Sequence, residues 1–230
     1  MAPVSQVRRA RMTGQQRREQ LVAVGRSLFA EKGVDGTSVE EIAATAGVSK
    51  PVVYEHFGGK EGLYAVVVDR EIQALTTAIT DALMSDGSSR ELIERAAMAL
   101  LDYIEHSTDG FRILVRDSPH PGSAAPTEDA TETTPAGGTY ASLLSDVAAQ
   151  VEHLLSAELG RRGFPARTSP LYAQMLVGMV SLTGQWWLDS RGMPREEVAA
   201  HLVNLAWNGL TGLQPDPELT DARGGGEQAG

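Results

Sequence analysis

The chain has 230 residues, 42% of them hydrophobic, no cysteine, and a formal charge of −10 at pH 7. That apolar content excludes a disordered chain, and the missing cysteines exclude disulfide frameworks and thiolate metal sites. No apolar run is long enough to span a bilayer, and MAPVSQVRRARM has no apolar stretch behind its charges, so a cytoplasmic protein without secretory leader or membrane span is expected.

The net charge conceals a division. Residues 1–60 hold nine Lys/Arg against six Asp/Glu, whereas 61–230 hold eleven against twenty-four. A basic segment on a larger acidic body is the pattern of a nucleic-acid reader joined to a unit with another task.

In chain order, nearly every segment reads as helix. Thr13 with Gln16 forms a capping box, and Leu21, Val24, Gly25, Leu28 and Phe29 follow at helical spacing until Gly33. Ser38-Val39-Glu40-Glu41 opens a second, short helix with Ile42, Ala43 and Ala46 on one face. Gly47-Val48-Ser49 breaks it, Ser49 is placed to cap a third helix, and Pro51 sits in that helix's first turn. The third helix ends near Phe57 before Gly58-Gly59, and a long helix runs from Lys60 to about Ser85. Further helices are predicted at 88–107, 109–117, 139–163, 169–190 and 195–212, and no segment alternates as a strand would. Residues 118–138, rich in Pro, Gly, Thr and acid, read as a flexible loop, and 214–230 as a disordered tail.

Three short helices with GVS between the second and third are what a helix-turn-helix needs. Gly47 permits the tight turn, Ala43 and Ala46 let the two helices approach, and Val48 and Val53 seal the angle. The third helix can then enter a major groove N-terminus first. With Val53 inward, its opposite face carries Lys50, Pro51, Tyr54 and Glu55, with Val52 on the flank. Lys50 can reach a base edge or phosphate, and the Tyr54 phenol can donate to phosphate. Glu55 either accepts from a cytosine amino group or only tunes charge.

These residues resemble a known family. GVSKPVVYEHFGGKEGLY, with LFAEKGVDGTSVEEIAATAGVS before it, closely resembles the DNA-binding domain of the TetR family of repressors, strongly over residues 13–68. Beyond that the resemblance is only to an all-helical body of the right length. It implies an all-α fold: residues 1–60 as a helix-turn-helix domain with a basic arm (1–12), a long connecting helix, and 61–213 as a ligand-binding and dimerisation domain. It also implies that Thr37, or Ser38 beside it, binds a phosphate, that Lys50, Pro51, Val52 and Glu55 face bases, and that Tyr54 and His56 contact the backbone. Ser49 joins this DNA-facing set, and Lys60 at the start of the long helix binds another phosphate, as a helix N-terminus beside a lysine favours. Arg8, Arg9 and Arg11, with Arg17 and Arg18, either reach a minor groove or form a solvated terminus.

In the body, the last two long helices are candidates for a two-fold interface through Leu182, Trp186, Trp187, Leu202, Leu205 and Gly209, with Trp187 open between interface and pocket. A pocket for a small apolar or amphipathic ligand could involve Tyr103, His106, Phe111, Tyr172, Met175 and Met179, although aromatic and Met residues at helical spacing also build ordinary core. There is no phosphate loop, since Tyr54 stands where a glycine is required and Glu61 replaces Ser/Thr. Catalytic motifs and clustered metal ligands are missing too, so no enzyme, cofactor or metal is expected. The expectation is a homodimeric repressor released from a palindromic double-stranded operator by a ligand, or alternatively an activator or architectural binder without a switch.

Overall fold

A computed structural model describes residues 12–116 and 139–217. The arginines at 8, 9 and 11, the segment 118–138 and the tail beyond 217 lie outside the described residues. Among the described residues the regular structure is helical: α1 (Gly14–Lys32), α2 (Val39–Ala46), α3 (Lys50–Phe57), α4 (Lys60–Met84), α5 (Ser89–His106), α6 (Thr108–Arg116), α7 (Tyr140–Arg161), α8 (Ser169–Ser190) and α9 (Arg195–Thr211), with a single 3-10 turn at Ala166–Thr168.

The caps explain why the boundaries fall where they do. Thr13 and Gln16 exchange both capping-box hydrogen bonds at α1, and Gly33, with φ of 76°, ends the helix. At α2 the box is only half made. The Ser38 hydroxyl accepts from the Glu41 amide at 3.2 Å, but the Glu41 carboxylate is drawn away to an ion pair with Lys32. Gly47 closes α2 in the left-handed region (φ 65°, ψ 38°), which a side chain would resist. Ser49 holds the N-cap position of α3 without a side-chain capping bond, contrary to the capping role expected of it. Capping boxes not anticipated from the sequence, Ser88 with Glu91 and Thr139 with Ser142, start α5 and α7.

Two apolar clusters form. The first gathers Leu21, Phe29, Ile42, Ala46, Val53, Leu63 and Val67 from α1–α4. The second gathers Leu75, Leu101, Phe111, Leu143, Trp187 and Leu202 from the body. Packing therefore changes from one core to the other within α4, between Val67 and Leu75. The 25-residue α4, about 37 Å long at 1.5 Å per residue, is shared by both units.

A second element also belongs to both. On α6, Ile113 packs into the first cluster while Phe111 and Leu114 pack into the second. The Arg116 guanidinium donates to the carbonyls of Phe29 (3.0 Å), which also accepts from the Gly33 amide, and Ala30 (3.1 Å), capping the end of α1. α6 thus clasps the base of the N-terminal unit.

Candidate nucleic-acid interface and buried cavity

On α3, Val53 is fully buried against α1 and α2, and this fixes the helix's rotation. Lys50, Pro51, Tyr54 and Glu55 consequently face solvent, with Val52 and His56 at the flanks. Tyr54 is 54% exposed, unusual for so large a ring on so small a helix. Lys50 forms an ion pair with Glu40 at the start of α2. Both side chains are more than half exposed, so the pair contributes little to stability and a phosphate can replace the carboxylate.

Two expected phosphate contacts are placed differently. Thr37 is 2% exposed, and its hydroxyl donates to the Gly33 carbonyl at 2.7 Å and faces that of Leu28 at 3.4 Å. It locks the α1–α2 turn and offers nothing to a phosphate, whereas Ser38 beside it is exposed. The Lys60 ammonium donates to the carbonyls of Val34 (3.0 Å) and Thr37 (3.2 Å). It ties α4 to the same turn.

Two further residues position the reading helix. The Arg18 guanidinium donates to the His56 carbonyl at 2.7 Å and lies over the Phe57 ring at 4.4 Å, closing the C-terminus of α3. Gln20 donates to the Ala46 carbonyl at 3.0 Å and does the same for α2. Both bonds join residues 26 or more apart, which is why spacing gave no sign of them.

The body encloses a cavity of about 720 Å³. Its wall follows α7 from Tyr140 through Leu143, Val147, Val151 and Leu155 to Arg162, with α4, α5, α8 and α9 completing it. Its lining residues extend over the whole of the 22-residue α7, about 33 Å of helix at 1.5 Å per residue. Exposure runs along it as a gradient. Ser88, Ser89, Leu154 and Thr211 at one end are open to solvent, while Leu75, Ala97, Leu100, Tyr140 and Ser181 at the other are buried. The cavity is a blind slot, and its closed end points toward the N-terminal unit.

None of the residues expected to hold a ligand lines this slot. Tyr103 and Phe111 are buried beyond its closed end, and His106 is exposed with Nδ1 2.8 Å from the Asp102 carbonyl. Tyr172 packs edge-on against Phe164, Met179 packs on the core, and Met175 lies on the outer surface. They were placed by helical spacing alone, which does not reveal which neighbour a face meets.

What they build is a bridge. The Tyr140 ring at the closed end stands edge-on to Phe111 (5.8 Å), which stands edge-on to Tyr103 (6.4 Å). The Tyr103 hydroxyl donates to the Glu71 carboxylate at 2.5 Å, and Glu71 pairs with Arg26 of α1 at 2.7 Å. Burial pushes the Tyr103 phenol well above its usual value, with the Glu71 carboxylate adding to the effect. Gly110 is what lets α6 reach this pair, because a Cβ there would lie 1.8 Å from the Glu71 Oε2. The chain of contacts runs from cavity to N-terminal unit and joins five helices, α7, α6, α5, α4 and α1.

The outer face of α8 and α9 exposes Leu171, Met175, Leu182, Trp186 and Leu205, each more than half accessible. Gly209 is exposed on the same side of the chain's last helix. Trp187 and Leu202 are different. Trp187 is 2% exposed and donates its indole N–H to the Met193 carbonyl at 2.8 Å, and Leu202 is 6% exposed. One residue of helix turns a side chain by about 100° and three by about 300°, enough to place Trp187 and Leu202 in the core while Trp186 and Leu205 face outward. At the other end of the body, Arg195 pairs with Asp102, Glu105 and Glu196, so the acids beside His106 already have a cation.

A helix-turn-helix held on an all-helical body defines a class, the DNA-binding regulators of transcription. Known proteins narrow it. Residues 21–67 match the description "Bacterial regulatory proteins, tetR family", and residues 78–221 match "Tetracyclin repressor-like, C-terminal domain". The chain is 30% identical over 207 residues to the HTH-type transcriptional activator FasR of Mycolicibacterium smegmatis, covering 87% of this chain and 86% of that one. Over 82 residues it is 32% identical to the HTH-type transcriptional repressor BdcR of Escherichia coli, covering 34% of this chain and 42% of that one. A TetR-like regulator from Rhodococcus sp. RHA1 superposes with a TM-score of 0.68 at 24% identity, covering 88% of this chain and 100% of that one. This chain belongs to the TetR family of transcriptional regulators. These relatives are regulators rather than enzymes, and no helix among the described residues is long and apolar enough to cross a membrane.

Proposed function

We propose that the protein is a homodimeric regulator that binds a palindromic operator and changes its DNA affinity when an elongated apolar ligand enters the slot. The observation that carries this reading is the blind cavity, whose closed end abuts the aromatic and ionic chain leading to α1. A ligand that favours one packing of Tyr140 and Phe111 biases α6, and α6 clasps the N-terminal unit through Ile113 and Arg116. The ligand must bind the two packings unequally, since equal affinity shifts nothing. The exposed face of α8 and α9 supplies the two-fold contact, through Leu182, Trp186, Leu205 and Gly209 rather than Trp187 or Leu202.

On DNA, Lys50, Pro51, Val52 and Glu55 face bases, Tyr54, His56 and Ser49 face the sugar-phosphate backbone, and Ser38, the exposed member of the Thr37/Ser38 pair, contacts a phosphate. Repression is the reading for an operator that overlaps a promoter. Activation is the second reading, favoured by the regulator matched along most of the chain, an activator. Selection of bound sites from random duplex DNA, with sedimentation of the free protein, tests the core of this. Inverted half-sites centred about 34–36 Å apart, or a multiple of that, and a dimer mass are expected. Enrichment of no site, or a monomer that binds single half-sites, refutes it.

A further inference from the structure

The slot is apolar along most of its length, but its closed end is not. Tyr140 is 3% exposed and its hydroxyl makes no hydrogen bond of full geometry, although Ser181 and Gln185 stand close enough to interact with it. Its polar neighbours are Ser181, which is 5% exposed and also lines the cavity, and Gln185 one helical turn further along α8. A buried phenol without a well-formed hydrogen bond costs free energy that the fold does not recover from within. The charged residues lining the cavity, Glu158 and Arg162, are both at the far end of α7. Arg162 is itself committed to the carbonyls of Leu210 (2.8 Å) and Thr211 (3.2 Å).

Resting on the reading of the slot as a ligand site, we infer that Tyr140, Ser181 and Gln185 form a recognition point for one neutral oxygen function, a hydroxyl or keto group, carried at the inner end of an elongated apolar ligand. Each of the three side chains can both donate and accept, so either oxygen function is satisfied. An ionised group is not accepted there, because no cation among the described residues lines the closed end and desolvating a charge without a partner is costly. A carboxylate on the same chain enters tail first and keeps its charge on the mouth side, away from Tyr140. The chain end therefore decides ligand orientation as well as affinity.

The test uses the full-length protein with 1-dodecanol and dodecanoate at pH 8, read by titration calorimetry and by fluorescence of Trp207, which lines the slot. Tyr140→Phe keeps the ring against Phe111 and removes only the hydroxyl. Loss of one neutral hydrogen bond is expected to weaken 1-dodecanol about five- to tenfold, and dodecanoate less than about twofold. Ser181→Ala is expected to act in the same direction, and neither variant should shift the dodecanoate titration. Equal weakening of both compounds, or no weakening of the alcohol, overturns the recognition point while leaving the slot as a ligand site. Failure of both compounds to bind the unaltered protein overturns the site reading with it.

Discussion

The two apolar clusters are built from similar residues but differ in kind. The N-terminal one is solid: Leu21, Ile42, Val53, Leu63 and Val67 are all fully buried, with short loops between the helices they join. The body's cluster is larger and hollow, with a cavity of about 720 Å³ whose walls include fully buried Leu75 and Ala97. A solid core holds one arrangement, since close-packed side chains do not deform continuously. A hollow one has a vacancy whose filling changes which packing is best. The reading unit thus supplies fixed geometry and the body supplies a variable.

Truncating a leucine in each unit sharpens that contrast most strongly. Leu63→Ala removes atoms packed on every side and is expected to cost about 4 kcal/mol, whereas Leu143→Ala, beside an existing void, is expected to cost about 2 kcal/mol. Denaturant unfolding of both variants checks the order, and equal costs would mean that the body is as tightly packed as the reader. Next in size, filling the slot by Leu144→Trp is expected to weaken 1-dodecanol at least about tenfold by exclusion from the pocket. Operator binding measured by fluorescence anisotropy should no longer respond to 1-dodecanol, because the slot is already filled.

Much of the solid unit was legible in the sequence, and the reasons are local. Capping residues, Gly47 and the burial of Val53 act within one or two turns, so the orientation of Lys50, Pro51, Tyr54 and Glu55 follows from helical geometry. The bonds of the Thr37 hydroxyl and the Lys60 ammonium to main-chain carbonyls of the α1–α2 turn were not legible, because they are a tertiary arrangement that spacing does not encode. The cavity was illegible for a related reason. The α7 stripe of Leu143, Val147, Val151 and Leu155 has the periodicity of any core face, and whether such a face meets atoms or a void depends on the opposing helices. Leu205 and Leu202, or Trp186 and Trp187, are separated only by rotation about one helix, beyond the resolution of an apolar pattern.

Smaller effects probe the connection between the units. Glu71→Gln keeps the shape of the side chain but removes the charge that Arg26 and Tyr103 share. It is expected to reduce the coupling between ligand and operator by about 0.5–2 kcal/mol, measured as the change in operator affinity on saturation with ligand. Intact coupling in that variant would leave α4 and α6 apolar packing as the whole connection. Lys50→Ala is expected to lower the slope of log affinity against log salt by about one unit per half-site, without altering ligand binding. An unchanged slope would place Lys50 with Glu40 even on DNA.

The smallest effect concerns pH. The phenol of Tyr103 is held well above its ordinary value of 10.0 by burial and by Glu71. Its stabilising contribution is complete below pH 10, where the unfolded phenol is also protonated. It declines as pH rises above 10, because the unfolded chain then releases a proton that the folded protein retains. Tyr103→Phe is expected to flatten the alkaline limb of the stability profile while leaving the acid limb unchanged.

Gly110 has a consequence for how such a regulator can be inherited. A single methyl group at that position would press on Glu71 from the side of α6. Under the coupling proposed above, Gly110→Ala would impose permanently, through the genome, a displacement that a metabolite imposes only while it is bound. A single mutation could therefore yield a regulator that no longer listens to its signal, while its DNA-reading helices, cavity and outer face remain intact.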